Sequence, residues 1–338
     1  MTKLLYVSDS DWIAGEMVAI DGPYNGWRNL VLPMAHADEL VMNAVLTSAA
    51  FHLTIQGRQN WHAGAGFPCL PNPCVSKDQL RPEYLYNLTI KGLQRTRDSV
   101  GSDHEVQKTV LMTILILLAT TMINGGEEFP ALFEMMQAVT MVLGGEEQIG
   151  GSDLGDFMIR QVRNIDRTGR MRVYAAPHIS EKTGFGVMSS QPDWDQIFEC
   201  LRYCSQSQPT AQAPIRNVVQ QAHDIYLRQV RRDPRISNSV ESIEESVHRL
   251  ERFKKTLQAF PKDAPGSNSL VWATFIAASD CTLQEHKEFF VDVIMQHFHR
   301  SRFGNLLKGI RHLQYVWAQR SEGARWTNLL PQSRMFLA

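Results

Sequence analysis

The chain has 338 residues, 43% of them hydrophobic and 20% charged, with a formal net charge of -1. That composition excludes a disordered chain, and the balanced charge lacks the positive excess of a free-standing DNA-binding domain. A chain this long buries roughly three quarters of its unfolded surface, so one large core needs no covalent staples. Its five cysteines are Cys69, Cys74, Cys200, Cys204 and Cys281. An odd count with no secretory apolar run at the start predicts free thiols in a reducing compartment, hence a soluble intracellular protein.

Nearly every long segment has the helical period. Asp38 and Glu39 put negative charge where a helix N-terminus favours it, ahead of Leu40, Val41, Ala44, Val45, Ala49 and His52 on one side. Residues 64–73 are too rich in Gly and Pro to be regular. A second helix, 83–99, carries Leu85, Leu88, Gly92 and Arg95 along one edge, and a third, 104–124, ends at Gly125-Gly126. Its apolar stretch, 110–123, is shorter than the about 20 residues of a membrane span and predicts a buried central helix.

Pro130 sits where a first-turn proline is tolerated, and Gly144-Gly145 where a helix stops. Between them Leu132, Phe133, Met136, Val139, Met141 and Leu143 read as one broad apolar surface. Ser152 is expected to cap a helix over 153–165, followed by an irregular excursion over 167–191. Helices resume over 192–204, 214–232 and 240–260, the last with Val240, Ile243, Val247, Leu250, Leu257 and Phe260 as its stripe. A polar joint, 261–269, leads to a helix over 270–279. Only 4–7 and 174–179 read as strands, and neither has a partner.

Two helical segments, 282–302 and 303–320, close the chain, with Gly304 expected as the stop between them and Asn305 as the next cap. The pattern predicts an all-α fold: stacked antiparallel helices in one elongated helical domain, without a fixed repeat.

Chemical motifs fail one by one. His104-Glu105-Val106-Gln107-Lys108 begins like a helical zinc-protease motif, but Lys108 replaces the second metal-binding His. Glu245 and His248 have the spacing used in di-iron bundles, without the second pair and further carboxylates that chemistry requires. His297 and His299 point to nearly opposite sides of a helix. Neither Cys69 with Cys74 nor Cys200 with Cys204 has the two-residue knuckle of structural zinc.

Gly64-Ala65-Gly66 and Gly184-Phe185-Gly186 lack the third glycine and preceding strand of a dinucleotide loop. Arg228, Arg231, Arg232 and Arg235 read as a solvated helix end, with nuclear import or phosphate binding as the alternative. The seven tryptophans, Trp12, Trp27, Trp61, Trp194, Trp272, Trp317 and Trp326, read as core and junction anchors. No catalytic residue and no metal ligand is predicted, no cofactor is expected, and no residue is assigned to cofactor binding.

Several phrases, in order, resemble a known family. Asn25-Gly26-Trp27-Arg28-Asn29-Leu30-Val31-Leu32-Pro33-Met34-Ala35 runs into Leu40-Val41-Met42-Asn43-Ala44-Val45-Leu46 and Ala49-Ala50-Phe51-His52-Leu53. Residues 86–93, 109–118 and Trp272-Ala273-Thr274-Phe275-Ile276-Ala277-Ala278 follow, then Gly304-Asn305, Val316-Trp317 and Trp326. Together, from about Gly22 to Leu330, they resemble the fungal-specific transcription factor domain, the regulatory region of binuclear zinc-cluster regulators of the acriflavine-sensitivity type.

The resemblance implies residues 1–21 as an N-terminal segment, 22–330 as the helical regulatory domain and 331–338 as a tail. Two features depart from the family pattern. The six clustered cysteines of a zinc-cluster DNA reader are missing from this chain. Phe129 keeps a family aromatic, but Leu132 and Met135 stand where a His and a Gly would fall, which predicts a loosened or repacked helix crossing.

The resemblance implies a transcriptional regulator acting in the nucleus, alone or with the cytoplasm. It would work through protein partners (transcription machinery or a DNA-binding regulator) or a small-molecule effector, with no membrane and no direct sequence-specific DNA binding. Control of a secondary-metabolite gene cluster belongs to the same expectation. The alternative is the same scaffold repurposed as a biosynthetic enzyme, with His52, Glu134 and His286 as polar groups inside apolar helices. A third reading, a truncated relic of a longer regulator, turns on whether a cysteine-rich segment is encoded upstream.

Overall fold

The structure is a computed structural model that describes residues 12–18, 21–60, 81–96, 103–174, 209–231, 240–261, 264, 266–319 and 326–329. The fold is all-α, and among the described residues there is no strand. Its principal helices are α1 (Leu32–Ala37), α2 (Glu39–Asn60), α3 (Pro82–Thr96), α4 (His104–Asn124), α5 (Phe129–Val142) and α6 (Asp153–Tyr174). They continue as α7 (Pro209–Arg231), α8 (Val240–Ala259), α9 (Val271–Ser279), α10 (Gln284–Ser301) and α11 (Gly304–Gln319). Short turns flank them, among them a π-type turn at Trp27–Val31 and 3-10 turns at Ser267–Leu270 and Trp326–Leu329.

The first six helices assemble around α4. Every residue of α4 from Val110 to Ile123 is buried, while α2, α5, α6 and α11 pack on it. At 21 residues the whole helix is long and apolar enough to cross a membrane on composition alone. Burial under its neighbours, rather than the short apolar run, therefore makes it a core helix. Its start is fixed by Asp103, whose carboxylate accepts from Glu105 N at 2.9 Å. Its end is fixed by Gly125 in the left-handed region, with φ 65°.

The later helices assemble around α9, which contacts α7, α10 and α11. One apolar core runs from Ile13 and Ala14 through both groups to Trp326, with a small satellite of Leu46, Ala49, Ala50 and Leu85 between α2 and α3. Threonine and serine zip helices inside it. Thr47 Oγ1 lies 3.3 Å from Thr89 Oγ1, and Ser48 Oγ lies 2.5 Å from Thr120 Oγ1. Each of these hydroxyls also has a carbonyl of its own helix within reach, so none enters the core unbonded.

Several local expectations hold. Asp38 Oδ1 accepts from Leu40 N and Val41 N at 2.8 and 3.1 Å. Pro130 lies in the first turn of α5, and Gly144 and Gly145 take φ 83° and 80° beyond its end. Ser152 Oγ accepts from Gly155 N at 3.1 Å, capping α6.

Others need correction. Residues 167–174, expected to begin an irregular excursion, continue α6, so Tyr174 ends a helix rather than opening a strand. The helix expected from Pro214 begins at Pro209 and holds Pro214 inside it. On α3 the buried edge is Leu85, Thr89 and Leu93, and Arg95 is exposed. On α8 Leu250 of the expected stripe is buried, but Ile243 is 46% exposed, and Ser246 and Phe253 face the core instead. On α5 Met141 is 73% exposed and does not join the buried surface.

The final corner also differs. The left-handed stop is Arg302, at φ 60°, and Gly304 is the first residue of α11. The expected strand at 4–7, irregular segments at 64–73 and 175–191 and helix at 192–204, with Cys69, Cys74, Cys200, Cys204, Trp61 and Trp194, lie outside the described residues.

Candidate functional site

Among the described residues, buried polar groups gather at helix junctions, three of them built on His52, His286 and Asp280. The first is the corner between α10 and α11. His52, from the last third of α2, is 1% exposed, and its Nε2 lies 2.9 Å from the carbonyl oxygen of Ser301. A carbonyl only accepts, so Nε2 carries the proton in this bond. Burial pushes the imidazole below its ordinary value, against the raising effect of the Ser301 bond, and nearby Arg302 lowers it further.

Phe303, 4% exposed, meets the His52 ring edge-on at 6.3 Å. Phe303 N also donates to Ser301 Oγ at 3.3 Å. A left-handed arginine costs about 1–2 kcal/mol. Here the carbonyl before it and the aromatic after it are both anchored, which holds the turn in place. Gly304 completes the corner. A Cβ there would come 2.9 Å from the carbonyl oxygen of Ile123, at the end of α4.

The second junction joins α8 to α10. His286, 1% exposed, places Nε2 at 2.6 Å from Glu251 Oε1. The His286 hydrogen bond is the largest influence holding the Glu251 carboxyl below the ordinary glutamate range. Lys254 reaches Glu285 at 2.7 Å and Glu251 at 3.8 Å, and the Glu285 bond raises its ammonium. This is an ion-pair ladder across two helices.

The third junction is built on Asp280, just past α9 and 3% exposed. Ser246 Oγ donates to its Oδ2 at 2.6 Å, and Trp326 Nε1 donates to its Oδ1 at 2.9 Å. Trp326 is fully buried, with Tyr226 edge-on at 6.4 Å. Burial pushes the Tyr226 phenol up to about 12. Two residues before Asp280, Ala278 O accepts from Trp317 Nε1 at 2.9 Å. One carboxylate thus ties α8, α9 and the closing turn together.

A comparable tie holds the N-terminal turn. Asn25 Nδ2 donates to Ala14 O and to Asp21 Oδ1, each at 2.8 Å, while Trp27 stacks edge-on against Phe157 at 5.6 Å. Burial of Asp21 opposes its ionisation, but hydrogen bonds from Arg28 and Asn25 outweigh it and keep the carboxyl below its ordinary value.

The three polar groups singled out from the sequence are not brought together. Ser301, which His52 touches, and His286 are 15 residues apart on α10, or about 22 Å along the axis. Glu134 lies on the apolar helix α5, but its side chain is exposed rather than buried. Among the described residues no three His, Cys, Asp or Glu side chains are placed to hold a metal ion. Cys281 is a buried thiol whose Sγ lies 3.5 Å from Ala277 O.

Sequence reasoning missed Ser246, Asp280 and Arg302. Only Asp280 left a trace, as a carboxylate directly after the apolar run of α9.

The phrases that hold these junctions, Asn25 to Ala35, Trp272 to Ala278, Gly304-Asn305, Val316-Trp317 and Trp326, fall inside a family match. The family model for the fungal specific transcription factor domain matches residues 10–162 and 189–338. The chain belongs to that family. Comparison with curated proteins and with solved structures finds no match to either. A fungal specific transcription factor domain has a place in transcriptional regulation, and the family assignment favours a regulatory over an enzymatic role.

Within this fungal specific transcription factor domain, Leu132 is buried in the core at 2% exposure and Met135 is 39% exposed. Met135 therefore faces away from the packed side of α5.

Proposed function

We propose that this chain is a helical regulatory domain that controls transcription by contact with protein partners or a small-molecule effector, and does not itself read DNA sequence. The unit would span 22–330, with Ile13 and Ala14 packing onto it and with 1–21 and 331–338 at its ends. Its place of action would be the nucleus, and its targets a block of genes for secondary metabolism.

One observation carries this reading. The family match covers both helix groups, and buried His52 and His286 inside it each tie two helices together. A helical assembly whose polar groups are spent on holding corners offers faces rather than a reactive centre. The balanced charge of -1 gives no electrostatic footprint for phosphates.

A mobility-shift titration of the isolated chain against promoter fragments tests the DNA part of the proposal. Weak binding without sequence preference is expected, and tight sequence-selective binding would overturn it.

A further inference from the structure

The outward face of α5 is built against the usual pattern of a surface helix. Its inward stripe is complete: Phe129, Leu132 and Met136 are buried, with Leu143 just beyond the helix. The opposite side of such a helix is ordinarily polar. Here Ala131, Met135, Ala138 and Val142 are exposed, at successive spacings of four, three and four. That is the spacing of a coiled-coil seam, small residues alternating with large ones over about 16 Å of helix. Met135 and Val142 are 39% and 57% exposed, and adjacent Met141 is 73% exposed. A contiguous apolar face of this kind marks a contact site.

The charge around the stripe selects the partner. No Lys, Arg or His occurs between Lys108 and Arg160, while Glu127, Glu128, Glu134, Glu146 and Glu147 frame α5. Glu127 and Glu146 are paired, with Lys308 at 3.8 Å and Arg163 at 2.6 Å. Among the described residues no cation lies within ion-pair distance of Glu128, Glu134 or Glu147. A second copy of this face would set acidic rims against each other, which disfavours self-association.

We infer that the outward face of α5 docks a basic amphipathic helix of a protein partner. Its apolar residues sit on Ala131, Met135, Ala138 and Val142, and its Lys or Arg side chains meet Glu128, Glu134 and Glu147. The alanines let the incoming backbone approach closely, and the methionines adapt to its side chains. This deepens the regulatory reading above and rests on it only for the partner's being a protein.

The test uses the full chain and two fluorescent peptides of about 18 residues, long enough to hold a helix. Both carry one leucine stripe, flanked by lysine in the first and by glutamate in the second. Fluorescence anisotropy is expected to show binding of the lysine peptide alone. Met135→Asp with Ala138→Asp should weaken it by about tenfold or more. Glu134→Lys with Glu147→Lys, both at exposed positions, should weaken it as well, with unchanged melting for this second variant. Equal binding of both peptides, binding of neither, or binding untouched by the variants would overturn the inference.

A wild-type dimer in sedimentation that Met135→Asp dissolves would assign the face to a second copy. A photo-crosslinker replacing Met135 that labels the chain's own residues in the monomer would assign it to the chain itself. Either result overturns the inference. A chain that fails this test yet shifts transcription loses the docking face alone. One that binds the peptide yet leaves transcripts unchanged loses the regulatory reading alone.

Discussion

Gly125 and Gly304 face each other where the end of α4 meets the start of α11. A Cβ on Gly125 would lie 3.2 Å from the carbonyl carbon of Gly304, and one on Gly304 would lie 3.2 Å from that of Asn124. Backbone meets backbone, so neither side can yield by rotating a side chain. This contact brings the last helices onto the central one.

Gly304→Ala is therefore expected to destabilise the fold by about 1–3 kcal/mol through overpacking. Gly125→Ala adds the cost of a left-handed alanine at φ 65°, about 1–2 kcal/mol. Since both substitutions open the same contact, the double variant should fall short of the sum. Denaturant unfolding of the three variants checks both magnitude and non-additivity.

His52→Ala should cost about 2–4 kcal/mol, because it leaves the Ser301 carbonyl without its donor and opens a gap against Phe303. Hydrogen exchange should localise the loosening to residues 298–306 at the α10–α11 corner. Exchange unchanged there, with loosening elsewhere, would contradict the account of that corner.

Asp280→Ala should be worse than either Ser246→Ala or Trp326→Phe. It strands both a buried hydroxyl and a buried indole N–H, each worth about 1–3 kcal/mol. Double-mutant cycles between Ser246 and Trp326 should show coupling through the shared carboxylate, readable as unfolding midpoints.

Acid should destabilise the fold through its buried imidazoles. Burial, reinforced by Arg300, pushes His297 down to about 4, and burial lowers His52 and His312 despite the raising effect of their carbonyl bonds. These groups bind protons more readily when unfolded. Their stability contribution is whole above about pH 6.5, the unfolded value, and declines as pH falls, until it is lost at the folded values. For His297 that window closes at about 4. Glu251, held low first by His286, adds a loss at lower pH, as its carboxylate protonates on the way down through its folded value. Melting temperature scanned from pH 8 to 4 should fall below about 6.5, and His297→Gln should flatten that slope.

The fold class was legible because each long segment repeats its apolar residues at the helical period. The acidic helix start at Asp38 and the cap at Ser152 were legible for the same reason: they are local, though only the structure shows Asp38 accepting from Leu40 N. The corner at Arg302 was not. A glycine next to an expected helix end reads as the stop, but Gly304 is needed for close approach to Ile123, a contact between residues far apart in sequence.

Likewise His52 and His286 read as polar groups in search of a role, and only packing reveals Ser301 and Glu251 as their partners. Met141 read as part of one broad apolar surface, and periodicity shows that a face is apolar, not whether anything covers it. Family membership was legible because the phrases carrying it, Asn25-Gly26-Trp27 and Val316-Trp317 among them, are the ones that tie junctions together.

The central claim, regulation by contact, meets its most direct test in the transcript profile of a strain deleted for this gene, run beside a metabolite profile. The account predicts a coherent block of neighbouring transcripts changing together, restored by the intact chain. Unchanged transcripts alongside one accumulating intermediate would contradict it and point to catalysis.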